Sequence, residues 1–483
     1  MKKTVLNILR IAFKCVLACA LFVCVWVKLT PLFRTERNPE GDFFRNLPEQ
    51  TLDVVALGSS HMQYAFSPAF FYTRTGLYSY VLGSPCQPLS MTYSLLRECL
   101  KRQSPSVAII DVFTLLPQSE VCYADGMFYR AIDEMSGTTR AEAADLVPDE
   151  SVRLQYKYDL LMNHDNWKTI DLNALDEHME TVKPSDGFNY DLGYVPALPE
   201  DPEYYPLVTY EVKEKKELLA SEKEDLDRIM DLCRENDIRL IFVKTPYVID
   251  QDSTDKLAAV WAYLDEKGAE YIDYVEKADE LDWFVGMDGD SWHNNSWGAK
   301  IVTDDLAARI SGKDLKQPHR EDPVWEELLK GMVRNAAYLL MNVRNVNVYH
   351  LLEDAAEYPS ILLCRYKGGK WTTLGDTENE YLQRAGLNHD FVKDFDKSYY
   401  AVVLNGVLLK ESSSPFSFTL HDHKIVLGED EITIDGASVG KAGEMDLVFA
   451  SDSFDWVNPI PVDYQSRWFW NNGCEGFRCT ASE

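Results

Sequence analysis

The chain has 483 residues, 46% of them hydrophobic and 26% charged, with 48 basic against 78 acidic side chains for a formal net charge of −30. That length asks for more than one folded unit, and the composition is apolar enough to build cores rather than stay disordered. So acidic a surface repels nucleic acid, which excludes nucleic acid as a partner.

The N-terminal segment MKKTVLNILRIAFK carries Lys2, Lys3, Arg10 and Lys14, and an uncharged run follows from Cys15 to Val27. That run alone is too short to span ~30 Å of hydrocarbon. Adding residues 11–13 and 29–33 reaches spanning length if Lys14 and Lys28 snorkel outward. Basic residues ahead of the run place the N-terminus in the cytoplasm and the bulk of the chain outside it. A signal peptide cleaved at Ala18-Cys19-Ala20, or a lipoprotein site at Cys19, is the rival reading, but either cut falls in the middle of the apolar run. The expectation is a cytoplasmic tip and single-pass anchor over 1–35.

Next comes TLDVVAL (51–57), a buried strand that runs into Gly58-Ser59-Ser60-His61. Further apolar runs at VAIIDVF (107–113), IRLIFVKTP (238–246) and AEYIDYV (269–275) read as strands. MTYSLLRECLKR (91–102) and SEKEDLDRIMDLCREN (221–236) place apolar residues at i, i+3, i+4 and read as helices between them. Continuous apolar strands alternating with amphipathic helices predict a parallel sheet covered on both faces. Residues 123–206 break this rhythm and read as an insertion rich in Asp, Asn, Tyr and Trp. The α/β unit is expected over 36–312.

From about residue 313 the pattern changes. A helix, VWEELLKGMVRNAAYLL, precedes short strands at SILLCRY, SYYAVVLNG, KIVLG, EITIDG and MDLVFA, several divided by Gly or Asn-Gly turns. This predicts a mostly-β, sandwich-like unit over 313–483. Ten cysteines include three in the apolar stretch (Cys15, Cys19, Cys24), and the seven that remain cannot all pair. Cys474 and Cys479 are the local disulfide candidates, with two free thiols as the equal alternative.

A serine hydroxyl is a weak nucleophile unless a base adjoins it on an exposed turn. The carboxyl end of the first strand of a parallel sheet supplies such a turn, because ligands bind outside the carboxyl ends of strands. Ser60 in GSSH fits this, and backbone N–H groups of the turn are ready donors to an oxyanion. Late in the α/β unit, FVGMDGDSWHNNSWGAKIV holds Asp290-Ser291-Trp292-His293 before a helix. An aspartate three residues before a histidine on a loop orients the imidazole and stabilises its charged form. Asp288 is the rival orienter.

LGSSH with a late DxxH, an Asn-rich turn and Gly-Ala resembles the SGNH/GDSL hydrolase superfamily. The nearest look is to its membrane-anchored branch, which includes the D-alanyl transfer protein of teichoic-acid modification and polysaccharide O-acetyltransferases. The resemblance runs from about 52 to 310, through Gly83 in YVLGSPCQPLSMTYSLL, NHDNWKTID and LIFVKTPY. It implies a three-layer, flavodoxin-like α/β sheet. It also implies Ser60 as nucleophile, His293 as base, Asp290 as its orienter, and backbone donors at Ser60 and Gly83. Two departures stand out: Ser59 replaces the usual Asp, and no asparagine block follows VAIIDVF, leaving Gln87 or Asn163 as substitute donors. The C-terminal unit faintly resembles the interleukin-like EMT inducer domain, related to sugar-binding stems of glycosyltransferases.

Other residues carry weaker signals. His61 adjoins the nucleophile and either contacts substrate or packs behind the turn. His164 and Trp167 in the insertion either line a sugar site or form a structural loop. Lys244 ends a strand on the active edge, where an ordinary strand-end charge is the plain reading. Asp288 and Asp290 lack the rest of a calcium loop, and His421-Asp422-His423 reads as an exposed turn, so no metal and no cofactor is expected. The expected activity is that of an extracytoplasmic serine esterase or O-acyltransferase on acyl groups, acetyl foremost, of a cell-envelope polysaccharide. The expected partners are the membrane, that glycan and a membrane-bound acyl-donor protein. The alternative is a non-catalytic glycan-binding or assembly protein that keeps the fold.

Overall fold

The computed structural model describes residues 2–34, 47–122, 126–168, 170–182, 191–197, 207–278, 280–281, 292–310, 323–342, 348–369, 375–440, 444–462, 474–475 and 478–479. The first element is one helix, Lys2–Phe33. Its segment Leu9–Trp26 is long and apolar enough to cross a membrane, and none of it is buried.

Five parallel strands form the α/β sheet: β1 (Val54–Gly58), β2 (Ser79–Gly83), β3 (Val107–Asp111), β4 (Arg239–Lys244) and β5 (Glu270–Asp273). Their order is β2-β1-β3-β4-β5, the flavodoxin-like winding in which the chain reverses direction at β1/β3. Alternate residues feed two cores. Val54, Ala56, Ile109, Ile241 and Val243 face helices Ser60–Ala65 and Ser296–Ile310, where Met62, Val302 and Leu306 close the layer. Val55, Leu57, Ala108, Ile110 and Phe242 face the other way, onto Leu95, Leu96, Leu226, Ile229 and Val260 of helices Leu89–Cys99, Ala220–Glu235 and Gln251–Lys267. This is the three-layer α/β architecture. Strand β2 and helix Gln251–Lys267 have no counterpart among the elements read from the sequence.

The described parts of the expected insertion include short helices, Gly126–Asp133, Gly137–Asp145, Glu150–Lys157, Asp159–Asn163 and Leu175–Val182, and the non-helical segment 191–197. Residues 311–322, the expected link, lie outside the described residues. Beyond it, helix Pro323–Met341 packs back on the α/β unit, with Trp325 stacked on Tyr78 at 4.2 Å between ring centroids. A second helix, Val348–Glu357, continues this layer.

The C-terminal strands are β6 (Ile361–Tyr366), β7 (Tyr399–Leu404), β8 (Val407–Ser412), β9 (Phe416–Leu420), β10 (His423–Leu427), β11 (Ile432–Ile434), β12 (Ala437–Gly440), β13 (Met445–Ala450) and β14 (Val457–Val462). They form two sheets, β14-β13-β6-β7-β8 and β12-β11-β10-β9. Ile361, Leu363, Val402 and Val448 of one sheet meet Ile425, Leu427 and Ile432 of the other, which is a sandwich core. Pro459 and Pro461 sit on β14, an edge, where a missing N–H leaves only an outward position unbonded. Cys474 and Cys479 face each other in a two-residue ladder, β15 (Cys474–Glu475) with β16 (Arg478–Cys479), and their side chains lie outside what is described. Cys86, which the sequence reading passed over, is disulfide-bonded.

Candidate active site

Strand β1 ends at Gly58, whose φ of +154° and position against β3 both require glycine: an added Cβ would lie 2.6 Å from the Asp111 Cβ. The chain then turns at Ser59, in extended conformation, into helix Ser60–Ala65. The Ser59 hydroxyl works twice. It accepts from the His61 N–H at 3.2 Å and donates to the Asp111 carboxylate at 2.8 Å. Ser60 stands at the first helical position, half-buried.

His293 arrives from the far end of the α/β unit, 233 residues later, with Nε2 at 2.9 Å from Ser60 Oγ. In the tautomer protonated on Nδ1, the Ser60 hydroxyl donates to Nε2, the geometry a general base needs. Asn295 fixes the approach of this loop: its side-chain oxygen accepts from the N–H groups of Trp297 and Gly298 at 3.1 Å each, capping helix Ser296–Ile310. Asp290 and its rival Asp288 lie outside the described residues.

A short segment, 191–197, ties these parts together. Leu192 carbonyl accepts from Val81 N–H at 2.9 Å on β2, Val195 N–H donates to the Gln63 carbonyl at 2.8 Å, and Ala197 carbonyl accepts from Ser296 N–H at 2.8 Å. The helix of Ser60, the edge strand and the start of the helix after His293 are thereby held in register. Gly193 permits it, since a Cβ there would lie 2.0 Å from the Val81 carbonyl oxygen. Nothing in the short sequence DLGYVPA announces the role.

Aromatic rings wall the site. Tyr64 lies 4.5 Å from the His293 ring. His61 is buried, stacked on Phe113 at 3.7 Å and edge-on to Tyr247 at 4.9 Å. Burial, with Lys244 and His293 nearby, holds its imidazole well below the usual histidine range. The buried His61 ring thus packs behind the turn against Phe113 and Tyr247, one of the two readings its sequence position offered.

Behind the turn, the three strands β3, β4 and β5 finish on Asp111, Lys244 and Asp273, an acid–base–acid row along the carboxyl edge. Lys244 is fully buried rather than a strand-end surface charge. Its Nζ donates to the Thr245 carbonyl and lies 3.4 Å from the Tyr247 ring centroid. Burial pulls its ammonium below the ordinary lysine range, against the pull of Asp273 and Asp111. Burial likewise pushes the Asp111 carboxyl up, while the bond from Ser59 and the charge of Lys244 pull it down. The signal was present: VAIID closes a buried apolar strand on an acid, and such an acid requires partners.

Gly83 pairs in register with Gly58, one strand over from the nucleophile turn. The two substitute donors do not join it. Gln87 is buried, and its Nε2 donates to the Leu82 carbonyl at 3.3 Å and the Thr92 hydroxyl at 3.0 Å. With both N–H donors committed, it shapes the turn after β2 instead of serving an oxyanion. Asn163 donates to the Tyr129 hydroxyl at 3.1 Å and accepts from Asn166 at 3.2 Å, inside the insertion. His164, exposed, has Nδ1 at 2.6 Å from the Leu161 carbonyl, and the turn His164–Lys168 packs on helix Lys2–Phe33. The side chain of Trp167 is outside what is described. The described contacts of this segment are with the apolar helix, so a sugar-lining role for His164 has no support from them.

No family model matches the chain, and no curated protein matches it. Among solved structures the chain is similar to a lipolytic protein of the G-D-S-L family from Desulfitobacterium hafniense DCB-2, at 13% identity and a TM-score of 0.26, over 53% of this chain and 97% of that one.

Proposed function

We propose that the protein is a serine esterase or O-acyltransferase of the SGNH type, held by its N-terminal helix at a membrane and working outside the cytoplasm on acyl groups, acetyl foremost, of a cell-envelope polysaccharide. The observation that carries the catalytic part is the 2.9 Å contact between Ser60 Oγ and His293 Nε2 at the carboxyl edge of the parallel sheet. A second supports the compartment: Cys86 is disulfide-bonded, and disulfides persist in oxidising surroundings.

In this reading His293 takes the Ser60 proton as Oγ bonds to the ester carbonyl carbon. The carbonyl oxygen gains the displaced electron pair and is met by the N–H groups of Ser60 and Gly83. Collapse breaks the bond to the alcohol, which leaves with the proton from His293, and an acyl-serine remains. Water or a sugar hydroxyl then attacks, giving its proton to His293, and Ser60 is restored with its proton. Asp290 is assigned to orient His293 and to steady its charge.

The test is a serine-reactive phosphonate probe applied to the detergent-solubilised full chain, wild type against Ser60→Ala. Labelling confined to the wild type supports the enzyme. Equal labelling, or none in either protein, favours the non-catalytic glycan-binding reading, which the commitment of Gln87 elsewhere keeps open.

A further inference from the structure

Helix Lys2–Phe33 outlasts its apolar window, which ends at Trp26. Eighteen residues at 1.5 Å each cover about 27 Å of a ~30 Å hydrocarbon core, which sets Trp26 toward the outer end of the span. The end of the helix is tied to the folded domain. Asn166 Nδ2 donates to the Phe33 carbonyl at 3.0 Å, and His178 Nε2 lies 2.8 Å from the Leu32 carbonyl. Arg34 pairs with Asp133 at 2.7 Å, and Arg140 braces the same carboxylate at 3.4 Å.

These contacts transfer the height of the helix onto the folded domain. Tyr158 stands edge-on to Trp26, with 6.1 Å between centroids, and so lies level with the end of the apolar window. Tyr158 caps helix Glu150–Lys157, whose inner side buries Tyr156 against Tyr129 at 5.7 Å. Its outer side presents Glu150, Ser151, Leu154, Gln155 and Tyr158. The outer side of a water-facing helix ordinarily carries charge along its length. Here the charge stops at Glu150, and the two large apolar side chains that follow it, one turn apart, are 59% and 49% exposed.

We propose that the Leu154/Tyr158 face is seated in the headgroup–acyl boundary of the lipid surface next to the anchor. The partner is lipid, because Tyr158 meets Trp26 toward the end of the apolar segment and Tyr and Trp favour this depth. The domain thus rides flat on the membrane at a fixed height. The proposal rests on the membrane-anchored reading above.

The experiment places the photo-crosslinking amino acid p-benzoylphenylalanine at position 154, at 158, or at 407. Val407, 63% exposed on β8, is the reference. Each full chain is matched to wild type in thermal midpoint, reconstituted in phosphatidylcholine–phosphatidylglycerol vesicles and irradiated. Lipid adducts at 154 and 158 are expected to exceed those at 407 by about tenfold or more, as for residues inserted in an interface. Adduct yields equal to those at 407, in protein that resists alkaline extraction, overturn the lipid contact and leave the anchor standing. Protein released by alkali overturns the anchor and the contact with it. In native membranes, adducts at 154 and 158 to another polypeptide instead of lipid overturn lipid as the occupant.

Discussion

The Ser59 hydroxyl donates inward to the Asp111 carboxylate at 2.8 Å, which removes it from competition with Ser60 for His293. Two adjacent serines on one turn are thus sorted by what stands behind each: an acid behind the first, an imidazole in front of the second.

Ser60→Ala is accordingly expected to lower ester turnover by about three decades or more, since the covalent step disappears. Ser59→Ala should keep turnover within about tenfold of wild type but lose about 1–3 kcal/mol of stability, because Asp111 is left short of a donor in a buried site. Acetate release from an acetylated sugar ester and denaturant unfolding read the two effects separately. The reverse pattern would exchange the roles of the two serines.

His293→Ala should match the Ser60→Ala loss, and the double variant should lose little more. Groups that act as one unit are not additive, so the combined loss should fall well short of the product of the two, with about 1 kcal/mol or less separating the double variant from either single one. Full multiplicativity in single-turnover rates would mean that the 2.9 Å contact is not used in the reaction.

Lys244→Met tests the buried row. Asp111 has a raised carboxyl pKa, so the folded state holds more protons than the unfolded one above the ordinary carboxylate range, and this contribution to stability falls as pH rises. Removing the Lys244 charge pushes Asp111 higher and widens that window. Lys244 itself is lowered, so the unfolded state holds its proton longer and wild-type stability gains as pH climbs toward the ordinary lysine range. The variant lacks that gain. Both signs agree: its stability should drop relative to wild type as pH rises from about 6 toward the ordinary lysine range, by up to about 1.4 kcal/mol per pH unit for each proton involved. Parallel pH profiles in thermal unfolding would show that the row does not titrate.

Cys86→Ser should cost about 2–5 kcal/mol, the usual consequence of losing a native disulfide. The same loss should follow when wild type is unfolded under reducing conditions. Unchanged unfolding in both cases would mean that the bond carries no stability.

What the sequence disclosed follows from range. TLDVVAL, VAIIDVF and IRLIFVKTP announce themselves as strands because each apolar run is complete within a few residues, and GSSH and DSWH carry recognisable side-chain chemistry. The sandwich strands KIVLG and MDLVFA were legible for the same reason. What stayed hidden depends on partners distant in the chain. Lys244 reads as a surface charge until β3 and β5 flank it with Asp111 and Asp273. Gln87 and Asn163 look like free amides until Thr92, Leu82 and Tyr129 claim them. Residues 191–197 are too short to show a periodicity, and their role rests on backbone bonds to β2, Gln63 and Ser296 and on the burial of Leu192 and Tyr194.

That segment has a further consequence for self-association. Strand β2 is the outer strand of the parallel sheet, and an unguarded outer strand is a template on which a second chain can add. Leu192 occupies the Val81 donor, and Gly193 lies against the carbonyl of the same residue. The few residues that hold the Ser60 helix in register with the start of the helix after His293 therefore also cover the outer side of β2. Cleavage within 191–197 should expose that strand to self-association and lower ester turnover as well.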